Sequence, residues 1–133
     1  MTGPVRTGLI CAALAAALPV SAQPTMGVGV LCSYALVVGL RSFQQGCHPA
    51  LAEQAGFLDP LIAKHRGYVA RNGAWSEARI QNFEADQSAA TADCARDDLE
   101  QMMTVILAEP ERLTKTLEFQ LSQGRKPEWG VCF

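Results

Sequence analysis

The chain has none of the short motifs that mark common catalytic sites. No G-x-S-x-G, no H-E-x-x-H and no glycine-rich phosphate loop occurs in its 133 residues. No two cysteines have the C-x-x-C spacing, so thioredoxin-like redox chemistry and haem attachment have no support either. We therefore predict that the protein is not an enzyme, has no catalytic residue and needs no cofactor.

Positive charge is also scarce. Eleven lysines and arginines face thirteen aspartates and glutamates, and the formal net charge is −2. A protein that binds nucleic acid or anionic lipid usually carries a basic excess or a polybasic patch. The composition therefore predicts neither nucleic acid nor a membrane surface as a partner.

Metal ligands are few. The chain contains only two histidines, His48 and His65, whereas a structural zinc site takes about four ligands. The acidic stretch "DCARDDLE" lacks the turn glycine of a calcium loop and is typical of a solvated helix start. We predict no metal site.

The amino terminus has the pattern of a leader for export. Arg6 precedes an apolar run from Leu9 to Leu18, and Val20-Ser21-Ala22 matches a signal-peptidase site. The run is too short to span a bilayer by itself. We predict a signal peptide over residues 1–22, cleavage near Ala22, and a single helical domain over residues 23–133 in the periplasm or secreted. The alternative is that the leader is retained as a membrane anchor.

Four cysteines remain after this cleavage: Cys32, Cys47, Cys94 and Cys132. An even number in a small exported chain predicts two disulfides. A helix from about Val30 to Gln44 would place Cys32 and Cys47 roughly 22 Å apart, too far to bond to each other. Two pairings remain, 32–94 with 47–132 or 32–132 with 47–94, and both tie the last cysteine to the first helix. The alternative is a free or intermolecular thiol at Cys132.

The remaining signals are helical. Asp59 as a cap, Pro60 at the first helical position and Asn72-Gly73 as a left-handed stop delimit a second helix. Ser76 caps a third helix, which breaks before Cys94. A fourth helix starts near Asp98, and a fifth runs from Pro110 towards Gly124. The predicted fold is a compact all-α bundle of about five short helices, cross-linked by two disulfides.

His65 lies in the middle of the apolar face of the second helix, with Tyr68 one turn later. A neutral imidazole in such a position can serve as a metal ligand, a general base or a pH sensor. One hypothesis is therefore a small-ligand or metal carrier with a pocket at His65 and Tyr68. The alternative is a partly buried histidine with one ring nitrogen hydrogen-bonded to Tyr68 or to a backbone carbonyl.

Three aromatic residues suggest a surface for another protein. Phe119 points away from the leucine stripe of the last helix, and Trp129 and Phe133 lie in the tail. Exposed together, Phe119, Trp129 and Phe133 would anchor a partner, because aromatic residues dominate the energetics of interfaces. The alternative is that the tail folds over Phe119 and buries all three.

Two segments resemble the small periplasmic immunity proteins that block type VI secretion amidase toxins. These are "CARDDLEQMMTVILAEPERLTKTLEFQL", followed by a cysteine near the end, and "LCSYALVVGL" in the first helix. The resemblance implies an exported, helical, disulfide-bonded inhibitor, and it assigns no residue a role.

Together these features predict an exported, periplasmic, helical module that binds or inhibits another exported protein without catalysis. One alternative is the carrier with a pocket near His65. The other is an acid-stress chaperone, suggested by small size, helicity, export and the two histidines.

Overall fold

Five α-helices joined by short connections form the part of the chain that this computed structural model describes, residues 28–132. They are α1 (Val30–Cys47), α2 (Leu58–Gly73), α3 (Glu77–Ala90), α4 (Asp97–Ala108) and α5 (Pro110–Leu121). Two 3₁₀ turns, Pro49–Leu51 and Gln54–Phe57, connect α1 to α2, and no strand occurs among the described residues. The predicted all-α bundle of five helices is confirmed. The predicted signal peptide, its cleavage site and Phe133 lie outside the described residues.

Helix α1 is the centre of the bundle. It is apolar on most sides, and a helix of that kind is stable only when it is surrounded. The other four helices all pack against it, and the side chains of Tyr34, Val37 and Phe43 are completely buried. Within residues 28–132, no helix combines the length and the apolar character that a membrane crossing requires.

Two disulfides cross-link the bundle. Cys32 is bonded to Cys132 and Cys47 to Cys94, each with a Cα–Cα distance of 5.5 Å. Cys32 and Cys47 lie near opposite ends of α1, as predicted, and the second of the two predicted pairings is the one observed. Because disulfides persist in oxidising environments, the cross-links indicate that the protein works in an oxidising compartment.

The predicted ends of α2 are wrong in detail. The helix starts at Leu58 without a side-chain cap, and the carboxylate of Asp59 instead accepts two hydrogen bonds of 2.9 Å from Arg41. The left-handed residue at the other end is Ala74, with φ 51°, rather than Gly73. Gly73 is small for a packing reason, since a Cβ there would lie 2.9 Å from Pro127 Cγ and 3.0 Å from Trp75 Cδ1.

The other predicted boundaries agree with the structure. The Ser76 side chain accepts a hydrogen bond of 3.2 Å from the Arg79 amide, and α5 begins at Pro110. Helix α3 ends at Ala90, before Cys94, and α4 begins one residue earlier than predicted, at Asp97. The proline and the capping serine set these boundaries through local geometry, which the sequence makes visible.

The tail after α5 runs antiparallel to the start of α1. The amide of Gly29 donates to the Trp129 carbonyl and the amide of Leu31 donates to the Glu128 carbonyl, both at 3.0 Å. Val28 and Gly130 form an isolated antiparallel bridge. The first amides of a helix have no partner inside it, so the tail supplies acceptors that α1 would otherwise lack.

We expect Gly29→Ala to displace the tail, because the added Cβ would lie 2.1 Å from the Glu128 carbonyl oxygen and 2.4 Å from the Trp129 backbone. Since backbone atoms cannot move aside as a side-chain tip can, the free energy of unfolding should fall by about 1–3 kcal/mol. Urea denaturation measures this loss, and tryptophan emission reports the tail.

Gly46→Ala is the matched control, because nothing lies within 4 Å of a Cβ at that position of α1. It should leave stability unchanged or raise it, since alanine is the better helix former. Equal stability and equal emission for Gly29→Ala and the wild type would contradict this packing of the tail.

Candidate partner-binding groove

A groove of about 260 Å³ lies between the start of α1, helix α3 and the tail. Three of its four apolar lining residues are aromatic, and its polar side chains come from α3. The lining residues are Leu31, Trp75, Arg79, Asn82, Phe83, Asp86 and Trp129.

Phe83 is the middle of the aromatic wall. Its ring centroid is 5.3 Å from that of Trp75 and 5.8 Å from that of Trp129, and it stacks at 4.7 Å on Tyr34 in the core. Such offset and tilted ring pairs are favourable geometries. Trp75 is buried, whereas 46% of Trp129 is exposed. The groove therefore has a rigid floor and one wall that is open to a partner.

The tail holds Trp129 in place through covalent and polar contacts. Its backbone accepts a hydrogen bond from Gly29, and Cys132, three residues further on, is bonded to Cys32 in α1. On the other side, the Tyr68 hydroxyl of α2 donates to the Arg125 carbonyl. The groove is thus formed before any partner arrives.

Charge in the groove is divided between two side chains of α3. The Arg79 guanidinium carbon lies 4.2 Å from the centroid of the Trp75 ring, a cation–π contact. Asp86 lies seven residues later, on the same side of the helix, and it has no ion pair among the described residues. One end of the groove is therefore an arginine stacked on an indole, and the other end is a carboxylate.

A partly exposed ion pair between Arg66 and Glu84 joins α3, and with it Phe83, to α2. Arg66 of α2 donates two hydrogen bonds to Glu84, and the Tyr34 hydroxyl of α1 donates to the same carboxylate. Burial and then the hydrogen bond to Glu84 raise the pKa of Tyr34. Burial acts to raise the pKa of Glu84, but the hydrogen bonds from Arg66 and Tyr34 outweigh it and the pKa falls below its ordinary value. Three helices thus meet at one carboxylate, next to the groove residue Phe83.

The structure separates the aromatic residues that the sequence analysis grouped. Phe119 is 71% exposed on α5, so the tail does not bury it, and it is not part of the groove. Trp129 lines the groove, and Val131, which is 62% exposed, follows it in the tail. Trp75 and Phe83 were missed as site residues, because the contact between Phe83 and Trp129 joins segments that are far apart in the chain.

His65 lies in the core and is completely buried. Its Nδ1 donates to the Leu61 carbonyl at 2.7 Å, and its Nε2 lies 3.2 Å from the Ser33 hydroxyl. Burial lowers the pKa of His65, and the hydrogen bond to Leu61 opposes this shift only in part. This environment agrees best with the alternative of a buried histidine that is hydrogen-bonded to a backbone carbonyl. It differs in that both ring nitrogens, not one, have a hydrogen-bond partner.

The structure does not join His65 and Tyr68 into a pocket. Tyr68 is buried, and its hydroxyl is directed to the tail rather than to His65. A wider cleft of about 360 Å³ between α2 and α5 includes Lys64, Arg71 and Glu118. Neither His65 nor Tyr68 lines this cleft or the groove.

A chain of buried and partly buried hydrogen bonds runs from His65 to the Val28 carbonyl, just before α1. The Ser33 hydroxyl is 2.7 Å from Gln120 Oε1, and Gln120 Nε2 donates to the Val28 carbonyl. When the imidazole is neutral and Nδ1 carries its proton, the one hydroxyl proton of Ser33 faces three acceptors within 3.2 Å, which are His65 Nε2, Gln120 Oε1 and the Val30 carbonyl. These hydrogen bonds therefore join α2, α1 and α5.

Metal-ligating side chains do not gather in this structure. Among residues 28–132, no group of three or more His, Cys, Asp or Glu side chains is placed to hold a metal ion. His48 Nε2 instead lies 2.5 Å from Glu100 Oε1, and the four described cysteines are all in disulfides.

Comparisons with known proteins leave the geometry of the groove as the basis for assigning a function. No family model, curated protein or solved structure matches this chain.

Proposed function

We propose that this protein is an exported helical module that binds another exported protein, and inhibits it by binding, without catalysis of its own. The observation that carries the proposal is Trp129, which stands 46% exposed at a groove that is already formed. Tryptophan is among the residues most enriched at binding hot spots. Because the disulfide and the tail hydrogen bonds fix its position, little ordering entropy is lost on association.

The surroundings of Trp129 also suit a protein partner. Trp129 and Val131 lie close together in the tail, and both are substantially exposed. Large exposed apolar groups next to a concave site are typical of interaction surfaces. The groove of about 260 Å³ is smaller than most small-molecule sites, which measure roughly 300–1,000 Å³. It suits one projecting side chain of a protein.

The resemblance to immunity proteins suggests the kind of partner. We propose a secreted amidase toxin as the protein bound, the periplasm as the site of action, and removal of residues 1–22 near Ala22 before folding. The disulfides are consistent with this route, because they form in oxidising compartments.

Trp129→Ala should weaken binding of the partner by about 30-fold, as expected for loss of a hot-spot residue worth about 2 kcal/mol. To measure this, the mature chain is immobilised and exposed to an envelope extract, and mass spectrometry identifies any exported protein that it captures. Titration of the purified pair then gives the dissociation constant. Amidase activity on peptidoglycan, with and without the mature chain, measures inhibition.

Phe119→Ala is the matched control, since it removes an exposed aromatic residue outside the groove. Its dissociation constant should stay close to that of the wild type. If Phe119→Ala weakens binding and Trp129→Ala does not, the groove is not the partner site. If no exported protein is captured, the proposed function fails.

A further inference from the structure

We propose that the groove receives an arginine side chain of the bound protein, with its guanidinium stacked on Trp129 and paired with Asp86. This inference rests on the proposed function, because it names the chemistry of the partner at the same site. It depends on the ring geometry, the carboxylate, the distribution of charge and the size of the groove.

The groove already holds one guanidinium on an indole. Arg79 covers Trp75 at 4.2 Å, so the face of one indole of this wall already takes a planar cation. Trp129 is the second indole of the wall, and it is the one that remains 46% exposed. Tryptophan is the best aromatic partner for a cation, and arginine stacks on it more often than lysine does.

A carboxylate is available for the same cation. Asp86 lines the groove one helical turn after Phe83, the ring that contacts Trp129. It has no ion pair among the described residues. A guanidinium on Trp129 could therefore donate two parallel hydrogen bonds to Asp86, a geometry that arginine forms and lysine does not.

Arg79 does not cancel this attraction. It precedes Asp86 by seven residues, which is about 10 Å along a helix, and surface charges at that distance are largely screened, because the Debye length is about 8 Å at physiological salt. Asp86 would touch the incoming cation directly. The net charge of the chain is −2 and becomes −3 without Arg6, so the approach of a cationic surface is favoured as well.

The size of the groove agrees with a single side chain. Its volume of about 260 Å³ accommodates a guanidinium and its alkyl stem, and the apolar wall formed by Leu31 and Phe83 suits that stem. The groove would thus bind one arginine side chain of the partner.

To test for an arginine site, the mature chain is titrated with N-acetyl-arginine amide while its tryptophan emission is measured. The chain has only two tryptophans, Trp75 and Trp129, and both line the groove, so the emission reports this site alone. We expect a saturable change with a dissociation constant on the order of 1 mM. N-acetyl-citrulline amide, which has the same shape without the charge, should give no saturable change over the same range.

Asp86→Asn should raise the dissociation constant of the arginine amide at least about fivefold. Glu111→Gln, which removes a carboxylate outside the groove, should leave this constant unchanged. Equal binding of the citrulline amide, or an unchanged constant in Asp86→Asn, would overturn the inference.

The two proposals fail separately. Suppose that Trp129→Ala lowers the affinity for the partner, that the arginine amide does not bind, and that Asp86→Asn leaves the affinity for the partner unchanged. The groove then binds the partner by apolar contact. The arginine inference is then overturned and the proposed function stands. If a partner is captured and the arginine amide binds as expected, but Trp129→Ala leaves the partner's affinity unchanged, the partner does not use this groove. The arginine inference is then overturned, whereas binding of an exported protein stands.

Discussion

The double variant Cys32→Ala, Cys132→Ala is expected to lose about 5 kcal/mol of the free energy of unfolding and to release Trp129 from the groove. The bond closes a loop with a sequence separation of 100 residues, and a cross-link over such a length restricts the unfolded chain strongly in the chain-entropy model. It also holds the tail whose carbonyls accept hydrogen bonds from Gly29 and Leu31. Without it, the tail would be ordered only by these hydrogen bonds, the hydrogen bond from Tyr68 to Arg125 and the packing of Trp129 on Phe83.

The matched control is Cys47→Ala, Cys94→Ala. This bond has a sequence separation of 47 residues, so the same model gives a similar loss of about 4 kcal/mol, but it lies away from the tail. Urea denaturation measures both losses, and tryptophan emission of the folded proteins measures the groove. We expect a red shift and weakened partner binding only for the first variant. Identical emission and binding in the two variants would show that the disulfide does not position Trp129.

Acidification below neutral pH is expected to destabilise the protein through His65. Burial lowers the pKa of this histidine in the folded state, while the unfolded chain regains the ordinary value of 6.5. Between the two values the unfolded chain binds more protons, so stability rises with pH. The contribution is fully present above about pH 6.5 and is lost as the pH falls through the folded pKa, with a slope of at most about 1.4 kcal/mol per pH unit.

Urea denaturation at several pH values between 7.5 and about 5 measures this slope in the wild type, in His65→Gln and in His48→Gln. The slope should disappear in His65→Gln and persist in His48→Gln, which removes the only other histidine of the chain. Glu84, whose pKa is lowered from 4.5, contributes only at lower pH, so the two effects separate. A slope that survives in His65→Gln would contradict the burial of a neutral imidazole.

The same titration bears on the acid-stress chaperone hypothesis. A chaperone of that kind has to expose apolar surface as the pH falls, and His65 joins α2 to Ser33 of α1 in the middle of the core. A cooperative native state that persists through the titration of His65, without protection of an unfolding client protein, would argue against that function.

The sequence predicted the fold where local chemistry decides it. Ser76 and Pro110 mark helix starts by capping and by ring geometry, and the length of α1 excludes a bond between Cys32 and Cys47. The prediction that Gly73 is the left-handed residue at the end of α2 was wrong. Glycine is the usual residue in that conformation, but here its lack of a side chain leaves room for Trp75 and Pro127. Local patterns cannot distinguish these two reasons for a glycine.

The groove could be predicted only in part. Trp129 was identified from its type and place in the tail, but its neighbours Trp75 and Phe83 come from a distant segment. Local patterns do not predict a contact between residues so far apart in the chain, and the cysteine spacing left two disulfide pairings open. The same holds for the acceptors that the tail supplies to the start of α1, next to the bond between Cys32 and Cys132.

The most direct test of this account is a non-reducing tryptic map of protein recovered from the exported compartment. Arg41, Lys64, Arg79, Arg96 and Arg125 place the four cysteines in separate peptides. The account predicts one linked pair containing Cys32 and Cys132, another containing Cys47 and Cys94, and an amino terminus at Gln23. A free Cys132, or a peptide that joins it to Cys47 or Cys94, would contradict the tail-bound groove on which the proposed function depends.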